Sequence, residues 1–103
     1  DFLGLEGKTA IVTGGGSNIG RGIVMAFAEQ GANVAIAELD EAQGAKVARE
    51  ANALGKGKVE NMRTDVTDWD SVRAMVKQTL DKFGQIDMLV NVVGWVRDDL
   101  FVK

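Results

Sequence analysis

Three times in this chain a stretch with helical spacing ends in a glycine, and an apolar, strand-like run follows. The glycines are Gly31 in "AEQGANVAIAE", Gly55 in "ALGKGKVENMRT" and Gly84 in "KFGQIDMLVNVV". Glycine just past a helix end supplies the left-handed cap residue. With the opening apolar run "TAIVT", the rhythm predicts strand, helix, strand, helix, strand, helix, strand. The strands fall at about Thr9–Thr13, Asn33–Glu38, Val59–Thr64 and Met88–Val92. The first, second and fourth are apolar with little alternation, as expected of a parallel sheet covered on both faces. Strands and helices alternating at this spacing mean an α/β fold with a parallel sheet.

The helices carry their own signals. In the third, Trp69, Val72, Val76, Leu80 and Phe83 recur at three- and four-residue spacing and predict one apolar face, with Thr67 and Asp70 as a capping box. The first places Ile19, Ile23 and Phe27 on one side. The second is Ala-rich, with Val47, Ala51 and Leu54 on its inner stripe and Asp40 as cap.

Between the first strand and the first helix lies "TGGGSNIGRG", residues 13–22. A glycine cluster costs folding entropy and calls for a reason. A large anion held close to bare backbone supplies one, because N–H groups at a helix start are free and the helix dipole is positive there. A P-loop needs G-x-x-x-x-G-K-[ST]. Gly15 and Gly20 have its spacing, but Arg21 and Gly22 stand where the lysine and the magnesium-holding hydroxyl belong. The G-x-G-x-x-G dinucleotide pattern fits at Gly14 and Gly16 and fails at Ile19. A dinucleotide site also predicts a carboxylate at the end of the second strand, about 20 residues on, to bind the adenosine ribose. Glu38 stands there, 18 residues past Gly20. A 2′-phosphate would meet a like charge at Glu38, and Ser17 and Leu39 occupy the places where a basic residue would receive it. NAD is therefore expected over NADP.

A wider spacing fits the loop better. Thr13-Gly14-x-x-x-Asn18-Ile19-Gly20 resembles the T-G-x-x-x-G-x-G loop of the short-chain dehydrogenase/reductase family, with Asn18 at the middle glycine. Asparagine tolerates positive φ and caps helices, so Asn18 reads as a tolerated substitution. "LEGKTAIVTGG" is similar to the family's first strand and its lead-in. "RTDVTD" is similar to its third-strand end, where an Asp and the next backbone amide hold the adenine. That carries over onto Asp65 and Val66. "IDMLVNVVGW" resembles the fourth strand and its N-N-A-G motif, matching at Asn91 and Gly94 and departing at Val92 and Val93. The resemblance implies a Rossmann-type, doubly wound fold, incomplete here. It also implies NAD contacts along Gly14, Gly16, Ser17, Asn18, Ile19, Gly20, Glu38, Leu39, Asp65, Val66, Asn91 and Gly94.

Chemistry is another matter. The 103 residues contain no His, Cys or Tyr. The usual proton-transfer and nucleophilic groups are thus mostly missing, and no Cys-based metal site exists. The family's catalytic Ser and Tyr-x-x-x-Lys would lie beyond the nine residues that follow Gly94. The serines present, Ser17 and Ser71, fall in the cofactor loop and the third helix's first turn. Asp98 and Asp99 are the acids nearest to where a nicotinamide would sit and read as solvated loop residues; Trp95 reads as packing. No catalytic residue and no metal ligand is identified. A net charge of −3 without a basic block argues against nucleic acid, and no apolar run approaches a membrane span or a signal peptide. A cytoplasmic location is the default expectation.

Two readings follow. In one, residues 1–103 are the N-terminal NAD-binding part of a single Rossmann domain in an oxidoreductase that converts a secondary alcohol to a ketone. Its partners are a small hydroxyl or carbonyl substrate and the missing C-terminal half, or other chains of a homo-oligomer. In the other, a short protein binds a nucleotide or a partner without chemistry. The first is preferred, because a four-strand half-sheet leaves the fourth strand with an apolar open edge.

Overall fold

The structure, a computed structural model, describes residues 4–92. Strands β1 (Thr9–Thr13), β2 (Asn33–Ala37), β3 (Val59–Asn61) and β4 (Met88–Asn91) alternate with helices α1 (Asn18–Glu29), α2 (Glu41–Asn52) and α3 (Trp69–Phe83). All neighbouring strands pair parallel, in the order β3-β2-β1-β4. This is the expected Rossmann-type half-sheet. The chain steps outward from β1 to β3, then crosses back to the far side of β1. The switch point therefore lies between β1 and β4, where open α/β sheets form a crevice beyond their strand ends.

Successive strand residues feed opposite faces. Val12, Val34, Ile36 and Val59 pack against Val24 and Ala28 of α1 and Val47, Ala48 and Ala51 of α2. Ile11, Ala35, Ala37 and Met62 pack against Met75 of α3, with Val72, Val76 and Phe83 partly buried around them. The glycines that mark the rhythm do what the spacing predicts: Gly31, Gly55 and Gly84 all take positive φ, at 86°, 74° and 82°. A side chain at any of them would be strained.

The inner stripes differ from the expected ones in an instructive way. In α1 the buried residues are Gly20, Val24 and Ala28, while Ile19 is 58% exposed and Ile23 and Phe27 lie at the margin. Small residues form the contact line because the helix lies close on the sheet. In α3 the buried pair is Met75 and Thr79; Trp69 and Leu80 are exposed. Leu54 lies past the end of α2 and is also exposed, so Gly44 joins Val47, Ala48 and Ala51 as the inner surface. Asp40 caps α2, accepting from the Gln43 N–H at 3.1 Å, as expected. The cap of α3 is Asp68 rather than a Thr67–Asp70 box, since Thr67 turns back to Asp65. Strand β4 is covered on one face only. Val90 packs beside the α1 side, but Leu89, in register with Ile11 on the α3 side, is 67% exposed.

Candidate functional site

The glycine loop is built by clamping the chain where it leaves β1. Gly14 turns at φ +71°, and its N–H donates to the Ala37 carbonyl at the end of β2, at 3.0 Å. Its own carbonyl accepts from the Ser17 N–H at 3.1 Å and the Ser17 hydroxyl at 2.8 Å. Ser17 Oγ in turn accepts from the Gly20 N–H at 3.0 Å, making Ser17 the N-cap of α1. The Asn18 and Ile19 amides then stand at the helix start, with no carbonyl of their own helix to donate to.

Each glycine answers a different steric demand. A Cβ on Gly20 would collide with the Gly14 carbonyl, and one on Gly14 would lie 3.1 Å from the Val92 carbonyl oxygen. Gly15, which only the rejected P-loop spacing touches, is buried; a Cβ there would lie 2.7 Å from Ile36 Cγ2. Asn18 neither caps the helix nor takes positive φ. It is the first residue of α1, and no non-glycine residue among the described ones has positive φ. A helical position makes no demand on glycine's conformational freedom, which gives the substitution a simpler basis than left-handed tolerance.

Glu38 reaches this loop. Its Oε1 accepts from the Gly16 N–H at 3.0 Å and its Oε2 from the Asp40 N–H at 3.1 Å. Asp40 thus serves the helix, as expected, while Glu38 braces the loop. The next strand end is tied in through the Thr64 N–H, which donates to the Glu38 carbonyl at 3.2 Å. Asp65 follows. Its Oδ1 accepts from the Thr67 hydroxyl at 2.6 Å and the Thr67 N–H at 2.9 Å, and these bonds hold the carboxyl below its ordinary value. Ser71, in the first turn of α3, accepts from the Asp65 N–H at 2.9 Å. Sequence patterns gave no sign of this contact.

Three apolar side chains lie exposed just past the carboxyl ends of three adjacent strands: Ile19 at 58%, Leu39 at 50% and Val66 at 58%. On the other side of β1, the Thr13 hydroxyl donates to Asn91 Oδ1 at 2.6 Å, pinning the ends of β1 and β4 together. Gly94, Trp95, Asp98 and Asp99 lie outside the described residues. Among the described residues, no helix is long and apolar enough to cross a membrane.

The strand-end loops thus offer bare amides, a carboxylate and exposed apolar surface at one edge of a parallel sheet. Known proteins resemble the chain in sequence and in fold. It is 49% identical over 88 residues to an uncharacterized oxidoreductase of Thermotoga maritima, covering 84% of this chain and 34% of that protein. Its fold matches a hydroxysteroid dehydrogenase from Escherichia coli with a TM-score of 0.81 at 36% identity, covering 84% of this chain and 37% of the other. It also matches a 3-ketoacyl-(acyl-carrier-protein) reductase from Brucella melitensis, complexed with NADH, with a TM-score of 0.76 at 38% identity, over 82% and 33% of the two chains. The chain spans about a third of the length of these relatives. The short chain dehydrogenase family model matches residues 8–103, and the chain belongs to that family.

Proposed function

We propose that residues 1–103 are the NAD-binding part of an oxidoreductase that moves hydride between NAD(H) and a hydroxyl or carbonyl substrate. The observation that carries this reading is Glu38, whose carboxylate stands against the Gly16 amide at the mouth of the glycine loop. In that place it accepts from the adenosine ribose hydroxyls and repels a 2′-phosphate. The pyrophosphate lies over the Asn18 and Ile19 amides at the start of α1. Leu39 and Val66 offer apolar surface for the adenine, the Val66 amide and the Asp65 carboxylate its polar contacts, and Asn91 lines the ribose nearer the nicotinamide. The bound NADH of the Brucella reductase supports the cofactor class.

The nicotinamide supplies hydride chemistry when bound. What this chain's residues contribute is binding and orientation, since no His, Cys or Tyr is present to move the substrate proton. That group is assigned to the further length that the relatives have.

The test is cofactor preference. Calorimetry should find NAD bound more tightly than NADP, and Glu38→Ala should weaken NAD and narrow the gap by roughly 1–3 kcal/mol, the scale of one charged hydrogen bond. Equal affinities in the parent protein would sink the Glu38 assignment.

A further inference from the structure

We infer that Ser71 is a positioning residue for the adenine end of the site, acting through the backbone of Asp65. The inference rests on the reading above that Asp65 contacts the adenine amino group. Ser71 is the third residue of α3, not its N-cap, where a serine oxygen would accept from the helix's own free N–H groups. Ser71 instead reaches back six residues, and its Oγ accepts from the Asp65 N–H at 2.9 Å. The capping of α3 is already done by Asp68, which accepts from the Asp70 N–H at 3.0 Å.

The Ser71 bond completes a set that fixes Asp65 at every polar group of its backbone. Asp65 donates its N–H to Ser71, and its carbonyl accepts from the Asp68 N–H at 3.0 Å. Both Thr67 donors meet Oδ1, so the side chain's rotation is set as well. The loop needs such bonds. Pairing with β2 continues through the Met62 and Thr64 amides to the Ile36 and Glu38 carbonyls, and Asp65 is the first residue past it. A backbone that leaves a sheet must find new partners for its N–H groups. Ser71 supplies that partner from α3, and so places the loop carrying Asp65 and Val66 relative to the helix.

The experiment compares two ligands on the intact protein: NAD and nicotinamide hypoxanthine dinucleotide, which lacks the adenine amino group. The parent should favour NAD. Ser71→Ala should lower NAD affinity roughly five- to tenfold, the scale of one hydrogen bond, and leave the hypoxanthine analogue nearly unchanged. Ser71→Thr, which keeps the acceptor, should restore the preference. If alanine unfolds the protein, Ser71→Cys keeps the volume with a weaker acceptor and should shift the preference the same way. An equal fall for both ligands means a merely structural role and overturns the inference, as does an unchanged NAD affinity. A parent that binds NAD without favouring it over the analogue overturns the Asp65 contact alone, and a parent that binds no NAD overturns the functional reading itself.

Discussion

Thr9, at the start of β1, is fully buried, and its hydroxyl oxygen has no hydrogen-bond partner among the described residues. Burying an unpaired hydroxyl costs free energy that an apolar side chain of the same shape avoids. Thr9→Val should therefore stabilise the chain by about 1 kcal/mol, read as a higher denaturant midpoint with an unchanged slope. A lower midpoint would mean that the hydroxyl has a bond in solution. At the glycine loop the sign reverses. Gly20→Val sets a side chain into the Gly14 carbonyl, and Gly14→Val adds one at positive φ beside Val92. Either should abolish dinucleotide binding. Asn18→Gly, at a helical position, should leave NAD affinity the same or slightly tighter; destroyed affinity in calorimetry would make Asn18 a direct ligand.

Among the elements, β3 has an open edge, and Asn52 guards it. The Val59 N–H and carbonyl point away from β2, and the Asn52 side chain meets both, accepting at 2.9 Å and donating at 2.7 Å. A side-chain amide here takes the place of a neighbouring strand. Edges left bare invite pairing with another chain. Asn52→Ala should lower stability by about 1 kcal/mol and raise self-association in light scattering; unchanged monodispersity would argue that the edge needs no guard. The elements themselves are legible in the sequence, because Gly31, Gly55 and Gly84 punctuate them and β-rich apolar runs follow. Their packing faces are less so. Reading stripes by large apolar residues picks out Ile19 and Leu80, which are exposed, over Gly20 and Thr79, which are buried. Hydrophobicity records size and greasiness, but close approach to a sheet selects for smallness. In the candidate site, Glu38 could be picked out from its spacing to Gly20, and the structure sets its carboxylate against the Gly16 amide. Gly15 and Ser71 could not, since each answers to a neighbour remote in sequence: Ile36 for one, Asp65 for the other.

For the molecule as a whole, the two faces of the sheet are unequally covered. On the α3 side an open apolar trough of about 530 Å³ runs beside β4, lined by Ile11, Val72, Met75, Val76 and Leu89. Apolar surface of this kind is expected to be covered in the working protein, and relatives about three times as long have the chain with which to do it. The central claim is a division of labour: this chain holds the cofactor, and the proton-transfer groups lie elsewhere. Following NADH absorbance during turnover of a hydroxyl substrate, for the 103-residue chain alone and then with the rest of the protein restored, tests that claim most directly. The account predicts no turnover by the chain alone and oxidation to the ketone when the complement is present. Turnover by the chain alone would contradict it and would force the proton transfer onto a carboxylate, with Asp98 and Asp99 the first to be substituted.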